Sequence, residues 1–151
     1  MRNRIVAVVV SGVVGAMAMA VVYYISPVFL LQHVDIVNLL GTMVVPPGNL
    51  AVSAGSLLFL IYCVGSAAVY AGLWQLGIGR PTWRIGMLFG FIQGLLAIAA
   101  LQILYSLNPN PPPIYMNGDK SFLTLVGSFV FGLLVAVVFR LITDRRQLPG
   151  E

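Results

Sequence analysis

Residues 85–107 read IGMLFGFIQGLLAIAALQILYSL, a run without a single Asp, Glu, Lys, Arg or His. At about 1.5 Å of rise per residue, a helix of this length spans the hydrocarbon core of a bilayer, about 30 Å. Within it Gly86, Gly90 and Gly94 recur every fourth residue, so one face is a smooth strip that a neighbouring helix can approach closely. The run is therefore predicted to be a membrane-spanning helix shaped for a helical partner.

Outward from it lie three more runs that meet the same requirement, over residues 5–25, 51–76 and 121–142. Arg140 is their only Asp, Glu, Lys, Arg or His, and it sits near the end of its run, where its side chain reaches the interface. Ser26-Pro27, residues 77–81 and residues 108–113 supply the breaks. The predicted fold class is an all-α membrane protein, a four-transmembrane-helix bundle with a short interfacial helix between the first and second spans, forming one transmembrane domain over residues 1–151. Composition agrees. Of 151 residues, 60% are hydrophobic and 8% charged, against about 45–50% and about 25% in soluble domains. So few charges cannot keep a folded surface solvated, so bilayer must cover it.

The first run imitates a secretory signal, with Arg2 and Arg4 before an apolar stretch and Ala16, Ala18 and Ala20 as small-residue pairs. It continues through Tyr23, Tyr24 and Ile25, longer than a signal core, and is expected to be retained. Orientation follows from the basic residues. Arg2, Arg4, Arg80, Arg84, Arg140, Arg145 and Arg146 fall on one side and only Lys120 on the other, which predicts both termini in the cytoplasm. Because these residues mark the ends of apolar runs and form no stripe, the net charge of +4 does not point to nucleic acid. The single Cys63 has no second thiol and reads as a small buried hydrophobe.

Small-residue strips recur elsewhere, as Gly12, Ala16 and Ala20 in the first span and Ser128, Gly132 and Ala136 in the fourth, with looser pairs Ala51/Gly55 and Ala68/Gly72 in the second. Each is expected to seat a helix of this chain or of another subunit. Gln93 and Gln102 are the costliest polar residues in the spans; nine positions apart, they face nearly opposite sides of the third span and cannot form one site. Each is expected to bond across helices or to contact a ligand.

The outer segments, residues 26–49 and 108–120, differ in kind. The first is apolar, with Asp35 placed to cap a short helix whose polar residues Asp35, Asn38 and Thr42 share a face. It is predicted to lie in the interface or to re-enter and pack on the bundle. Pro46-Pro47-Gly48 then turns the chain into the second span, with Asn49 as expected cap. The second segment, with four prolines in five residues, Pro109 and Pro111 to Pro113, reads as a stiff strap presenting Tyr115 and Met116.

The run VDIVNLLGTM over residues 34–43, after a Gly-rich first span and before three more, resembles the hallmark segment of a family of uncharacterised bacterial four-helix membrane proteins of about this size. The resemblance implies the same four-span fold and a bacterial cytoplasmic (inner) membrane. That family pattern often places His in the second and fourth spans, and residues 57–62 and 127–132 here have none.

An intramembrane enzyme or proton-coupled transporter needs ionisable groups at depth, and these spans lack them. His33, with Asp35 nearby, is too isolated for a haem or metal site, so no cofactor, metal or catalytic residue is expected. Two readings remain. One is a non-catalytic subunit that packs within a larger membrane complex, respiratory or photosynthetic in type, through its strips. The other is a binding module for a quinone, pigment or lipid in a groove lined by Gln93, Tyr62, Tyr70 and Trp74. A passive oligomeric channel is weaker. Lipid and other integral subunits are the expected partners, with His33, Asp35, Gln93 and Tyr115 as possible ligand or partner contacts.

Overall fold

A computed structural model describes residues 2–29, 35–76, 82–111 and 118–144. All regular structure among them is helical: α1 (Arg2–Ile25), a 3₁₀ turn (Ser26–Phe29), α2 (Ile36–Thr42), α3 (Asn49–Gln75), α4 (Trp83–Leu107) and α5 (Gly118–Asp144). The long helices α1, α3, α4 and α5 are the four predicted spans, and each is long and apolar enough to cross a membrane.

Their ends follow local chemistry. Ser26 ends α1, its hydroxyl donating to the Tyr23 carbonyl at 2.7 Å. Thr82 caps α4, accepting from the Ile85 N–H at 3.4 Å, so the helix begins two residues before the predicted run. Asn49 is not the cap of α3; it is the first helical residue, and Gly48 holds the cap position. With φ of 150°, Gly48 is in a conformation that favours glycine, and its carbonyl accepts from Ala51 and Val52.

α5 is the central helix. Half of its most apolar stretch is buried, against about a fifth for α3 and α4. It packs on α4 along one face and on α1 along another, α1 packs on α3, and α2 lies on α3. α3 and α4 are not joined in this way, so the bundle stays open between them. Phe131, Val135, Cys63, Ala67 and Tyr70 fill the interior. An aromatic chain ties three helices together, with Tyr70 5.1 Å from both Trp74 and Phe89, and Trp74 edge-on to Phe139 at 5.0 Å. Outward faces carry exposed Leu57, Ile61, Leu88 and Ile92, as a bilayer solvent requires.

The strips of α4 and α5 face each other. A methyl group at Gly90 would overlap the Ser128 carbonyl oxygen, one at Gly86 would meet the Ala136 side chain and the Gly132 carbonyl, and one at Gly94 would lie 3.1 Å from the Ser128 Cβ. On α1, Gly12 lies against the Val64 backbone and Gly15 against the Phe131 ring, and Ala16 is buried. Ala20 is the one residue of that strip that this chain leaves uncovered. It is exposed and lines a cleft of about 390 Å³ shared with Ile36 of α2 and Phe59 of α3.

α2 is seated by two backbone approaches. A Cβ at Gly41 would overlap the Ala51 carbonyl, and one at Gly55 the Val37 carbonyl. Asp35 caps it as predicted, its Oδ1 accepting from the Asn38 N–H at 2.9 Å. Thr42 does not join Asp35 and Asn38 on an open polar face. It is fully buried and receives a hydrogen bond from Asn108 Nδ2 at 2.9 Å, so the segment packs on the bundle, one of its two expected forms.

Candidate functional site

The opening between α3 and α4 is a cleft of about 460 Å³. α3 contributes Leu58, Tyr62, Ser66 and Val69, and α4 contributes Phe89, Gln93, Ala97 and Leu104, each set returning to one face at helical spacing. Met19 of α1 and Ile36 and Leu40 of α2 close one end. Apart from Tyr62, Ser66 and Gln93, the wall is wholly apolar.

Those three form the one polar feature. Gln93 Nε2 donates to Tyr62 Oη at 3.0 Å and to Ser66 Oγ at 2.9 Å, a polar bridge between two helices that meet elsewhere through the Tyr70–Phe89 ring contact. Both amide hydrogens are thereby used. Gln93 is 9% exposed, and its Oε1 is buried with no hydrogen-bond partner. An unpaired amide oxygen in an apolar interior costs about 1–3 kcal/mol, so a donor that reached it on a turn of the Gln93 side chain would recover that cost. Tyr62 is 40% exposed, and its own hydroxyl hydrogen is not used by Gln93.

Depth fixes what such a site can meet. Tyr62 is the middle residue of α3 (Asn49–Gln75) and Gln93 lies two residues from the middle of α4 (Trp83–Leu107), so the polar group stands near the centre of the span.

The structure brings Gln93 and Tyr62 together but leaves Tyr70 and Trp74 out of the cleft, where they belong to the aromatic chain behind Phe89. Gln102 is exposed and separate. Ser66 was not among the predicted lining residues; its signal was the Tyr62/Ser66 pair four apart at mid-span, a polar face one turn long. Asp35 serves as the α2 cap and borders the second cleft. His33 and Tyr115 lie outside the described residues. Among the described residues no three His, Cys, Asp or Glu side chains are grouped as a metal site requires. No family model, curated protein or solved structure matches the chain.

Proposed function

We propose that the protein is a non-catalytic, multi-pass protein of a bacterial cytoplasmic membrane, a member of the four-helix family it resembles, and that it binds an apolar membrane-dissolved ligand between α3 and α4. The observation that carries this reading is the Gln93 amide, held in an apolar cleft near the middle of the span with its oxygen unpaired. A ligand site of this kind is largely apolar with a few placed polar groups. Packing supports the same reading, because the strips of α4 and α5 are consumed by each other.

Purification in mild detergent followed by solvent extraction and mass spectrometry tests it. A stoichiometric apolar compound is expected from the wild type and not from Ala97→Phe, whose ring fills the cleft one turn from Gln93. Recovery of the same compounds from both proteins would overturn the reading.

The accessory-subunit reading retains one specific support. Among the described residues nothing stands within 4 Å of a side chain built at Gly65 or Gly72 of α3, and Ala68 between them is exposed, so the described helices leave this strip unused. Co-migration of a second polypeptide on native gels, lost in Gly72→Ile, would favour it.

A further inference from the structure

The geometry points to a ligand of definite chemistry: a molecule with one long apolar chain and a head whose polar atoms are a hydroxyl or carbonyl, the chemistry shared by quinols, quinones and long-chain alcohols. The inference rests on the ligand-binding reading above and deepens it.

Depth excludes phospholipid head groups. From Gln93 to either end of α4 is about 15–21 Å at 1.5 Å per residue, and a charged phosphate brought that far into hydrocarbon would find no cation in the cleft wall. Only a head of low polarity reaches the midplane.

Hydrogen bonding then selects the head. With a small turn of the buried Gln93 side chain toward the cleft, the triad offers an acceptor at Gln93 Oε1 and a donor at the Tyr62 hydroxyl, which together satisfy a ligand hydroxyl that donates to the first and accepts from the second. With the amide reversed, its oxygen accepts from the Tyr62 and Ser66 hydroxyls and its two N–H groups face the ligand, which satisfies a carbonyl. An amide pinned between two hydroxyls, each able to donate or accept, serves both forms of the head at similar cost. A carboxylate or ammonium could form such bonds, but its charge would stand in hydrocarbon with no opposite charge in the cleft wall.

Shape selects the tail. The polar triad sits toward the Phe89 end of the cleft, and from Gln93 the apolar wall runs through Ala97 and Ala100 to Leu104, about 16 Å of helix. The small side chains Ala97 and Ala100 leave a channel along α4 for an extended chain, with Leu40 of α2 at its far end.

The experiment uses the ¹⁵N-labelled full chain in phosphatidylcholine nanodiscs, titrated separately with decylubiquinone, its reduced quinol, farnesol and decylbenzene. The side-chain amide resonances of Gln93 are expected to move with the three oxygen-bearing probes, while those of Gln102, on the exposed face, stay fixed. Binding is expected to weaken about tenfold in Gln93→Leu, to weaken less in Tyr62→Phe, and to be at least tenfold weaker for decylbenzene than for the quinol. Tighter binding of farnesol than of the quinone pair assigns the head to alcohols, and the reverse assigns it to quinols; either supports the inference. Equal affinity for decylbenzene, or unchanged affinity in Gln93→Leu, overturns it. In that case loss of all binding in Ala97→Phe leaves the broader ligand-binding reading standing. Binding to Ala97→Phe as tight as to the wild type removes both.

Discussion

One added carbon at Gly90 drives into the Ser128 carbonyl oxygen, whereas the same carbon at Gly72 meets nothing within 4 Å. In lipid, close approach replaces the hydrophobic effect as the term that holds helices together, so the two glycines must respond oppositely. Gly90→Ile is expected to destabilise the protein by about 3 kcal/mol or more, because the clash is with backbone and neither helix can yield locally. Gly72→Ala is expected to be neutral or to stabilise by up to about 1 kcal/mol, through the lower backbone entropy of alanine. Thermal unfolding in detergent reads both; an unchanged midpoint for Gly90→Ile would show that α4 does not depend on this seam. At this scale the sequence spoke clearly where a residue's cost was intrinsic. Gln93 is conspicuous because an amide in hydrocarbon must find a partner; Tyr62 is predicted beside it only as one of three aromatic residues of a groove, and of those three it alone bonds to the amide. Ala20 shows what a period of four leaves open: it marks a face without saying whether this chain or another subunit covers it, and within this chain the residue is exposed.

The existence of α2 was legible and its seat was not. Asp35 followed by an apolar turn is a local signal, and the cap forms as the sequence implies. What holds the element down is remote: Gly41 over Ala51, Gly55 against Val37, and Asn108 at the end of α4, whose Nδ2 donates to the Leu39 carbonyl at 3.1 Å and to Thr42 Oγ1 at 2.9 Å. Sixty-six positions separate Asn108 from Thr42, and no periodicity connects them. Asn108 therefore acts as a clasp between the last turn of α4 and α2, at the end of the cleft that Ile36 and Leu40 close. Asn108→Ala removes both bonds and leaves buried acceptors short of a donor, a cost of about 1–3 kcal/mol. If the loss is local to α2, hydrogen exchange of the Leu39 to Thr42 amides should quicken by about ten- to a hundredfold, at 1.4 kcal/mol per decade. The amides of α5 beside Gly90 should keep their protection. Uniform acceleration through every helix would mean that the clasp supports the whole bundle and not this element.

The same clasp bears on how the whole molecule sits in its membrane. Because α2 precedes α3 and Asn108 follows α4, the bonds between them put both long connections at one end of the bundle. The N-terminus of α1, the connection from α3 to α4 and the C-terminus of α5 then share the other end, as four antiparallel spans require. In the sequence, seven of the eight Lys and Arg residues flank the spans on the side of that second end, and Lys120, following Asp119, is the one that flanks the first. Short flanks rich in Arg are retained on the cytoplasmic side, so the charge bias predicts a single insertion with both termini inside, while the fold requires only that the two termini share a side. Thiol labelling checks it in a Cys63→Ala background, a mild change because Cys63 is fully buried and alanine only shortens it. In intact cells, an impermeant maleimide is expected to label Asn117→Cys and to leave Gln147→Cys unmodified until the membrane is opened. The reverse pattern would place the Arg-rich end outside, against the charge bias. Equal labelling of both positions would mean insertion in two orientations, which a seven-to-one asymmetry should forbid.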